Sequence, residues 1–230
     1  MSDKEKTFLR PIRSFVRREG RFTPGQKQAL QDNWQIYGLD DHQKTIDIDA
    51  VFKRQATITL EIGFGMGASL CTMAKQQPEV NFIGIEVHRP GVSAFLTNVK
   101  EEGLTNVRVF CADAVEVLTN AIADESLDCV QIFFPDPWHK KRHHKRRLIQ
   151  PGFVELIKQK LKPRGILHAA TDWQNYAEHI LEVLEGVDGL ENTSGKNNYS
   201  PKPDSRPTTK YEKRGQRLGH GVWDIVFEKC

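Results

Sequence analysis

The sequence predicts an α/β fold, a doubly wound and mostly parallel sheet covered by helices on both faces. Two observations carry that reading. Short apolar, β-rich runs recur at 58–62 (ITLEI), 81–87 (NFIGIEV), 107–111 (VRVFC), 128–134 (DCVQIFF) and 165–170 (GILHAA), and segments with helical spacing separate them. A glycine-rich turn, GFGMG, follows the first of these runs and opens a helical segment, where sheets of this kind bind their ligands. Strands that alternate with helices pair in parallel and are buried on both faces.

The elements follow in chain order. Residues 1–54 are polar and mixed, and RSFVRREGRFTPGQ within them reads as a basic N-terminal extension, partly flexible, that becomes ordered against the body or a ligand. Residues 55–230 form the domain itself. Helical spacing covers Ala68 to Lys75, Gly91 to Glu101 and Pro151 to Leu161 between the strands. Residues 176–186 (YAEHILEVLEG) read as another helix and 187–194 as a strand. VWDIVFEK alternates as a final strand, which brings the count to seven. A basic, proline-containing loop of about 25 residues precedes it, a length that points to function in a compact domain. There is no internal repeat.

Composition narrows the class. Of the 230 residues 38% are hydrophobic and 27% charged, which fits a soluble globular protein with a sizeable core. No apolar run approaches the ~20 residues of a membrane span, and MSDKEKTFLR lacks the apolar core of a secretory signal, so the expected location is cytoplasmic. Cys71, Cys111, Cys129 and Cys230 form no C-x-x-C pair. Free thiols, the first three interior, are expected rather than disulfides or a zinc site.

Charge is unevenly spread although the formal net is only +3. Residues 10–27 hold six basic residues and one acid, and 196–217 hold seven and two. WHKKRHHKRR, from Trp138 to Arg147, has six Lys/Arg, three His and no acid, so the rest of the chain is net acidic. Three basic segments far apart in sequence suggest one composite surface for a polyanion, with nucleic acid the first candidate.

The glycine loop alone is a weak signal. Gly63, Gly65 and Gly67 permit a sharp turn and close approach of a ligand to the backbone. The same string satisfies G-x-G-x-x-A, so a dinucleotide site and a purely structural turn both compete. Three acids sharpen the choice: Glu61 before the loop, Glu86 after the second strand and Asp113 after the third. In a doubly wound sheet all three reach one edge. A carboxylate after the second strand suits ribose hydroxyls, and one after the third suits the exocyclic amine of an adenine. Acids near the loop would repel a pyrophosphate but suit a sulfonium, which favours S-adenosylmethionine over NAD.

Asp136 lies between Pro135 and Pro137, which stiffen the turn leaving the fourth strand. It would face the methyl donor, with Trp138 able to stack on a base and Lys140 onward able to hold phosphates. His139, His143 and His144 stand among Lys and Arg, which would repel a metal cation, so they read as RNA-facing or solvated.

LEIGFGMG, FIGIEVHRPGV, FFPDPWHKKRHHKRR, ATDWQNYAEHI and RPTTKYEKRGQRLGHGVWDIVFE, with RSFVRREGRFTPGQ near the start, together resemble the bacterial tRNA (guanine-N7-)-methyltransferases. The resemblance spans nearly the whole chain; Tyr211 is a conservative departure where an aromatic is expected. It implies a Rossmann-like class I methyltransferase fold with an antiparallel final strand. It implies methylation of N7 of a guanine at position 46 of the tRNA variable loop, with S-adenosylmethionine as donor, no metal, and no obligate protein partner. It implies that Glu61, Gly63, Gly65, Glu86, Asp113 and Asp136 bind the donor, that Asp136 is also the catalytic carboxylate, and that Lys140, Asp172, Thr209, Lys210, Tyr211 and Glu212 contact substrate. Arg142, His143, His144, Lys145, Arg146 and Arg147 would hold the RNA. Asp172 and Glu212 could both accept from the guanine N1–H and amino edge, which adenine lacks. A methyltransferase acting on another RNA or on protein, a non-catalytic RNA-binding module and an NAD oxidoreductase are the competing functions.

Overall fold

In the computed structural model, which describes residues 14–15, 22–40, 42–208, 212 and 221–230, the first apolar run is strand β1 (Ile58–Ile62). The strands that follow are β2 (Asn81–Ile85), β3 (Val107–Phe110), β4 (Leu127–Phe133), β5 (Leu161–Thr171), β6 (Leu190–Asn192) and β7 (Trp223–Lys229). They form one seven-stranded sheet in the order β3-β2-β1-β4-β5-β7-β6. The first five pair in parallel; β7 runs antiparallel to both β5 and β6. Every residue of β1 and β2 is buried, as expected for central strands covered on both faces.

The chain leaves β1 toward β2 and β3, then crosses back to place β4 on the other side of β1. Leu60 is thereby flanked by Ile83 and Val130. Connections diverge above this pair, opening a crevice at the carboxyl ends of the strands.

Helices cover both faces. On one, α3 (Ala68–Gln76) and α4 (Arg89–Glu101) bury Leu70, Met73, Phe95, Leu96 and Val99. On the other, α5 (Ala114–Asn120), α6 (Pro151–Lys160) and α7 (Gln174–Glu185) bury Val117, Leu118, Val154, Ile157, Tyr176, Ile180 and Leu184. The bounds of α3, α4, α6 and α7 lie within two residues of the helices read from the sequence, and α5 was not read there. Strand β5 begins four residues earlier than its apolar run because Leu161 pairs with Leu127 before a register shift that precedes the Cys129–Ile166 pair. Strand β6 keeps only three residues of the 187–194 expectation.

The N-terminal region holds more structure than its composition suggested. Residues Pro24–Tyr37 form the first helix, α1, opened by a capping box: Gln26 N–H donates to the Thr23 hydroxyl, and Thr23 N–H donates to the Gln26 side chain. The helix packs on α4, where the Ser93 hydroxyl donates to Gln26 O at 2.7 Å. Its exit is tied to the sheet edge, with Leu39 N–H donating to Val109 O at 2.8 Å. A short helix, α2 (Ile48–Phe52), follows.

Cys71, Cys111 and Cys129 are partly buried and Cys230 is exposed, all as free thiols. Among the described residues no helix is long and apolar enough to cross a membrane, and no group of His, Cys, Asp or Glu gathers as a metal site.

Candidate active site

A cavity of about 430 Å³ opens where β1 and β4 diverge. Its wall includes Ile62 and Gly63 from the end of β1, Glu86 to His88 after β2, Ala112 to Ala114 after β3, and Phe133 to Asp136 after β4. Ile85 at the end of β2, Ser14, Phe15 and Leu148 complete it. Its volume is within the range of small-molecule sites, roughly 300–1,000 Å³.

The glycine loop wraps one end. Gly65 has φ +59°, and a methyl group added there would meet nothing within 4 Å, so the space above it is open to a ligand. Gly67 has φ +72° and sits so close to Phe95 that a Cβ would lie 2.2 Å from the ring. The first glycine admits a ligand; the second packs the loop onto α4.

Glu86 ties this loop to the second strand. Its Oε2 accepts from Gly65 N–H at 2.8 Å, and its Oε1 accepts from Val87 N–H at 2.7 Å and His88 N–H at 2.8 Å. With about two lone pairs on each oxygen, Oε1 is filled and Oε2 can take one further donor. Asp113 caps α5, its Oδ1 accepting from Val115 N–H at 3.0 Å. Both carboxylates line the cavity.

Glu61 differs. It lies immediately before the lining residues Ile62 and Gly63, is 3% exposed, and its Oε2 is buried with no hydrogen-bond partner. Burial, and then the charge of Glu86, push its pKa up to about 8. An orphaned carboxyl beside a cavity is a place where a cationic ligand group would restore a lost partner.

Asp136 is exposed at the rim, and its Oδ1 accepts from Trp138 N–H at 2.9 Å. Two residues in left-handed backbone conformations bracket it, Phe134 at φ +51° and Trp138 at φ +46°. Such conformations are rare for aromatic residues and persist where the surroundings enforce them. Here Phe134 N–H donates to Ala170 O at 2.7 Å, Arg147 Nε donates to Pro137 O at 3.0 Å, and the Trp138 indole N–H donates to Ser14 O at 3.1 Å. Asp172 is half-buried just beyond β5, the strand beside β4.

The basic run coils into a 3-10 helix, Lys141–Arg146. Lys140, Lys141, Arg142 and Lys145 are exposed, while His143, His144 and Arg146 are half-buried. Arg146 lies over the Trp138 ring, 5.0 Å from its centre. Partial burial and the surrounding cations hold the His143 imidazole below its ordinary pKa, so it is neutral at pH 7.

Two placements correct the sequence reading. Arg147, expected to face RNA, is 3% exposed; besides Pro137 it donates to Asn175 Oδ1 at 2.7 Å and stacks over Tyr176. It is the buried brace of the Pro135–Pro137 turn. Glu212, expected to read guanine, is 1% exposed, and its oxygens accept from Arg206 at 2.8 and 3.2 Å with Lys202 3.3 Å away. Its carboxylate is committed to protein. Thr209, Lys210 and Tyr211 lie outside the described residues.

Arg206 itself escaped sequence reasoning. Fully buried, it also donates to both oxygens of Asp224, at 2.7 and 2.8 Å, and Asp224 accepts a 2.7 Å contact from His168. Its guanidinium sits 5.9 and 5.7 Å from the Phe133 and Phe134 ring centres. Burial alone would raise the Asp224 carboxyl; hydrogen bonds from His168 and Arg206 win and hold it below the usual range. The available signal was an ionisable side chain within the apolar stretch of each of two strands, His168 in ILHAA of β5 and Asp224 in WDIVF of β7.

Residues 55–225 match the family described as "Putative methyltransferase". The chain is 59% identical over 227 residues to the tRNA (guanine-N(7)-)-methyltransferase of Aeromonas hydrophila, covering 99% of this chain and 96% of that one. The enzyme of the same description from Yersinia enterocolitica is also 59% identical, with 99% and 95% covered. The chain belongs to the tRNA (guanine-N(7)-)-methyltransferase family. Solved structures agree on the fold. The 16S rRNA methyltransferase KamB superposes with a TM-score of 0.57 at 14% identity, covering 81% of this chain and 95% of that one. A 30S ribosomal A1408 methyltransferase from an uncultured bacterium gives 0.51 at 16%, covering 85% and 98%. The family's dependence on a cationic donor fits the orphaned Glu61 and the open space over Gly65.

Two predictions follow from these buried charges. Folded Glu61 keeps its proton to about pH 8, whereas it ionises near 4.5 when unfolded, so the folded state binds more protons between those values. Stability therefore falls as pH rises through that window. Glu61→Gln should match wild type below it and exceed it by up to a few kcal/mol at its upper end, read as urea midpoints from pH 4 to 9. Parallel curves would mean that Glu61 ionises normally. Arg206→Met takes the shared guanidinium away from two buried carboxylates, leaving Asp224 only His168 and Glu212 the more distant Lys202, and should lose about 3–5 kcal/mol in the same assay. A loss under ~1 kcal/mol, the level of an exposed ion pair, would show the network to be dispensable.

Proposed function

We propose that this protein methylates N7 of the guanine at position 46 in the variable loop of tRNA, using S-adenosylmethionine. The observation that carries the reading is the adjacency of the carboxylate-lined cavity to an exposed basic ridge, joined through the rigid Pro135–Pro137 turn. A tRNA substrate places this work in the cytoplasm.

When bound, S-adenosylmethionine supplies a methyl group on a positively charged sulfur. In our reading the chain's part is to hold and orient. The backbone at Gly63 and Gly65 lets the donor lie against the loop. Glu61 offers its orphaned oxygen to a cationic group, Glu86 its remaining lone pair to a ribose hydroxyl, and Asp113 its second oxygen to an amine. Each of these acceptors is fixed by backbone contacts or by burial, so little order is lost on binding.

Guanine N7 carries an in-plane lone pair and no proton, so no strong base is required. Catalysis then rests on positioning, which supplies up to ~7–11 kcal/mol in the most favourable cases. Asp136 stabilises the positive charge that builds on the purine, or accepts from its N1–H and amino edge. Asp172 takes the second acceptor role at that edge. Lys140, Arg142 and Lys145 hold phosphates, and half-buried Arg146 and neutral His143 support Trp138 between the ridge and the turn.

The deciding experiment incubates the protein with methyl-labelled S-adenosylmethionine and unmodified tRNA transcripts carrying G or A at position 46, followed by nucleoside analysis. Label in 7-methylguanosine from the G transcript alone is expected. Label in another nucleoside or in protein would replace the substrate, and tRNA binding without label would favour a non-catalytic RNA-binding module. Asp136→Ala should lose nearly all turnover while keeping most tRNA affinity; retention of most of the rate would make the turn purely structural. Alanine at Lys140, Arg142 or Lys145 should weaken tRNA binding and flatten its salt dependence by ~0.7–0.9 in logarithmic slope per lost phosphate contact. Arg147→Ala should instead lower stability, and an unchanged salt slope across the ridge variants would place the RNA elsewhere.

A further inference from the structure

Four tryptophans occur in the chain, and two of them stand beside the cavity's basic flank. Trp138 was expected to stack on a base, yet it is occupied. Its indole N–H donates to Ser14 O, Arg146 lies over its ring, and His143 meets it edge-on with centroids 5.8 Å apart.

Trp173 is the opposite case. It follows Asp172 at the carboxyl end of β5 and is 38% exposed. It occupies the N-cap of α7, where Ser, Thr, Asp or Asn would accept a helix N–H, and makes no capping bond. The helix therefore gains nothing from an indole there. His139, the residue after Trp138, meets the ring edge-on, with centroids 4.2 Å apart and planes at 76°. Lys140 and Lys141 follow, both exposed. A large apolar ring, steadied at its edge and bordered by cations, has the composition of a stacking platform for single-stranded nucleic acid.

We propose that Trp173, steadied by His139, is a stacking site for an RNA nucleobase adjoining the target guanine. This rests on the tRNA reading above and adds to it a second nucleobase subsite beyond the methylated one. Stacking keeps the neighbouring base out of the RNA's own stack while Asp172, one residue away, faces the guanine edge. Because every base has a π face, the subsite demands a base without reading which one it is.

The test pairs protein variants with altered RNA. Wild type, Trp173→Phe, Trp173→Leu and Trp173→Ala are each measured for Kd and single-turnover rate. The substrates are an intact tRNA transcript and transcripts with an abasic nucleotide immediately 5′ or 3′ of the guanine. On intact RNA, Trp173→Ala and Trp173→Leu should weaken binding on the order of 10- to 100-fold, with Trp173→Phe close to wild type. One of the two abasic RNAs should cost wild type a similar factor and cost Trp173→Ala almost nothing further. Full additivity of protein and RNA changes, or wild-type behaviour of Trp173→Ala on every substrate, would overturn the subsite. A surface residue leaves no core cavity when truncated, and Trp173→Leu keeps bulk without a π face. Failure of the enzymatic reading is distinct: wild type would then form no 7-methylguanosine on intact RNA, while the Kd comparison would still decide the stacking.

Discussion

The buried guanidinium of Arg206 joins parts of the molecule that the sheet alone would leave independent. It draws Glu212, from the basic loop, and Asp224, from the antiparallel strand β7, onto one cation beneath the Phe133 and Phe134 rings. His168 on β5 closes the network through Asp224. A well-packed apolar cluster could match such a group in stability, but losing Arg206 takes the main partner from two buried carboxylates at once. The guanidinium is thus the hub of the contact. Its consequence is geometric: the loop that brings the third basic segment, the edge of the sheet and the end of β4 hold one arrangement together.

That arrangement bears on the strained turn beyond β4. Phe134 and Trp138 keep left-handed backbones only because contacts on several sides compensate, from Ala170 in β5, from Arg147 behind the turn and from the Arg206 cluster against the Phe134 ring. Pro135 and Pro137 remove the other conformations that Asp136 could reach. A carboxylate held in this way is fixed by the fold before any ligand arrives, and charge fixed in advance is the kind that acts without reorganising. Arg147 is the brace behind that turn, although it belongs in sequence to the basic run.

The parallel sheet, the glycine loop and the Asp136 turn were legible because each has a local cause. Continuous apolar runs mark buried parallel strands, glycines mark the left-handed turn, and two prolines mark the rigid one. The helix Pro24–Tyr37 was not read, since its buried face consists of Leu30, Asn33 and Tyr37, too sparse and too polar to show a period. The signal it did carry was the string Thr23-Pro24-Gly25-Gln26, a capping box with proline at the first helical position. Arg147 and Glu212 were misplaced for a different reason. Within a run of like residues nothing in sequence tells the inward one from its neighbours; only the tertiary partners, Asn175 and Tyr176 for one and Arg206 for the other, make the distinction. Trp138, expected to stack on a base, is likewise occupied by partners that its neighbours in sequence do not reveal, Ser14 above all.

The electrostatic layout answers a problem that a cationic donor and an anionic substrate pose together. A single field of either sign would attract one and repel the other. Here the acids sit inside the cavity, where Glu86 is neutralised in part by three backbone N–H groups and Glu61 by its own proton, so little negative field reaches the rim. The cations stand outside on the 3-10 helix, with Lys141, Arg142 and Lys145 exposed and no acid within their own run, and their field extends about a Debye length into solvent. Long-range attraction is therefore selective for the polyanion, while recognition of the small cation is confined to contact range. Asp136 lies on the boundary between the two regions, the one carboxylate of the cavity wall that is exposed. Two prolines set the backbone on either side of it and Trp138 N–H holds its Oδ1, so its place between the acidic cavity and the basic ridge follows from the fold of the turn itself.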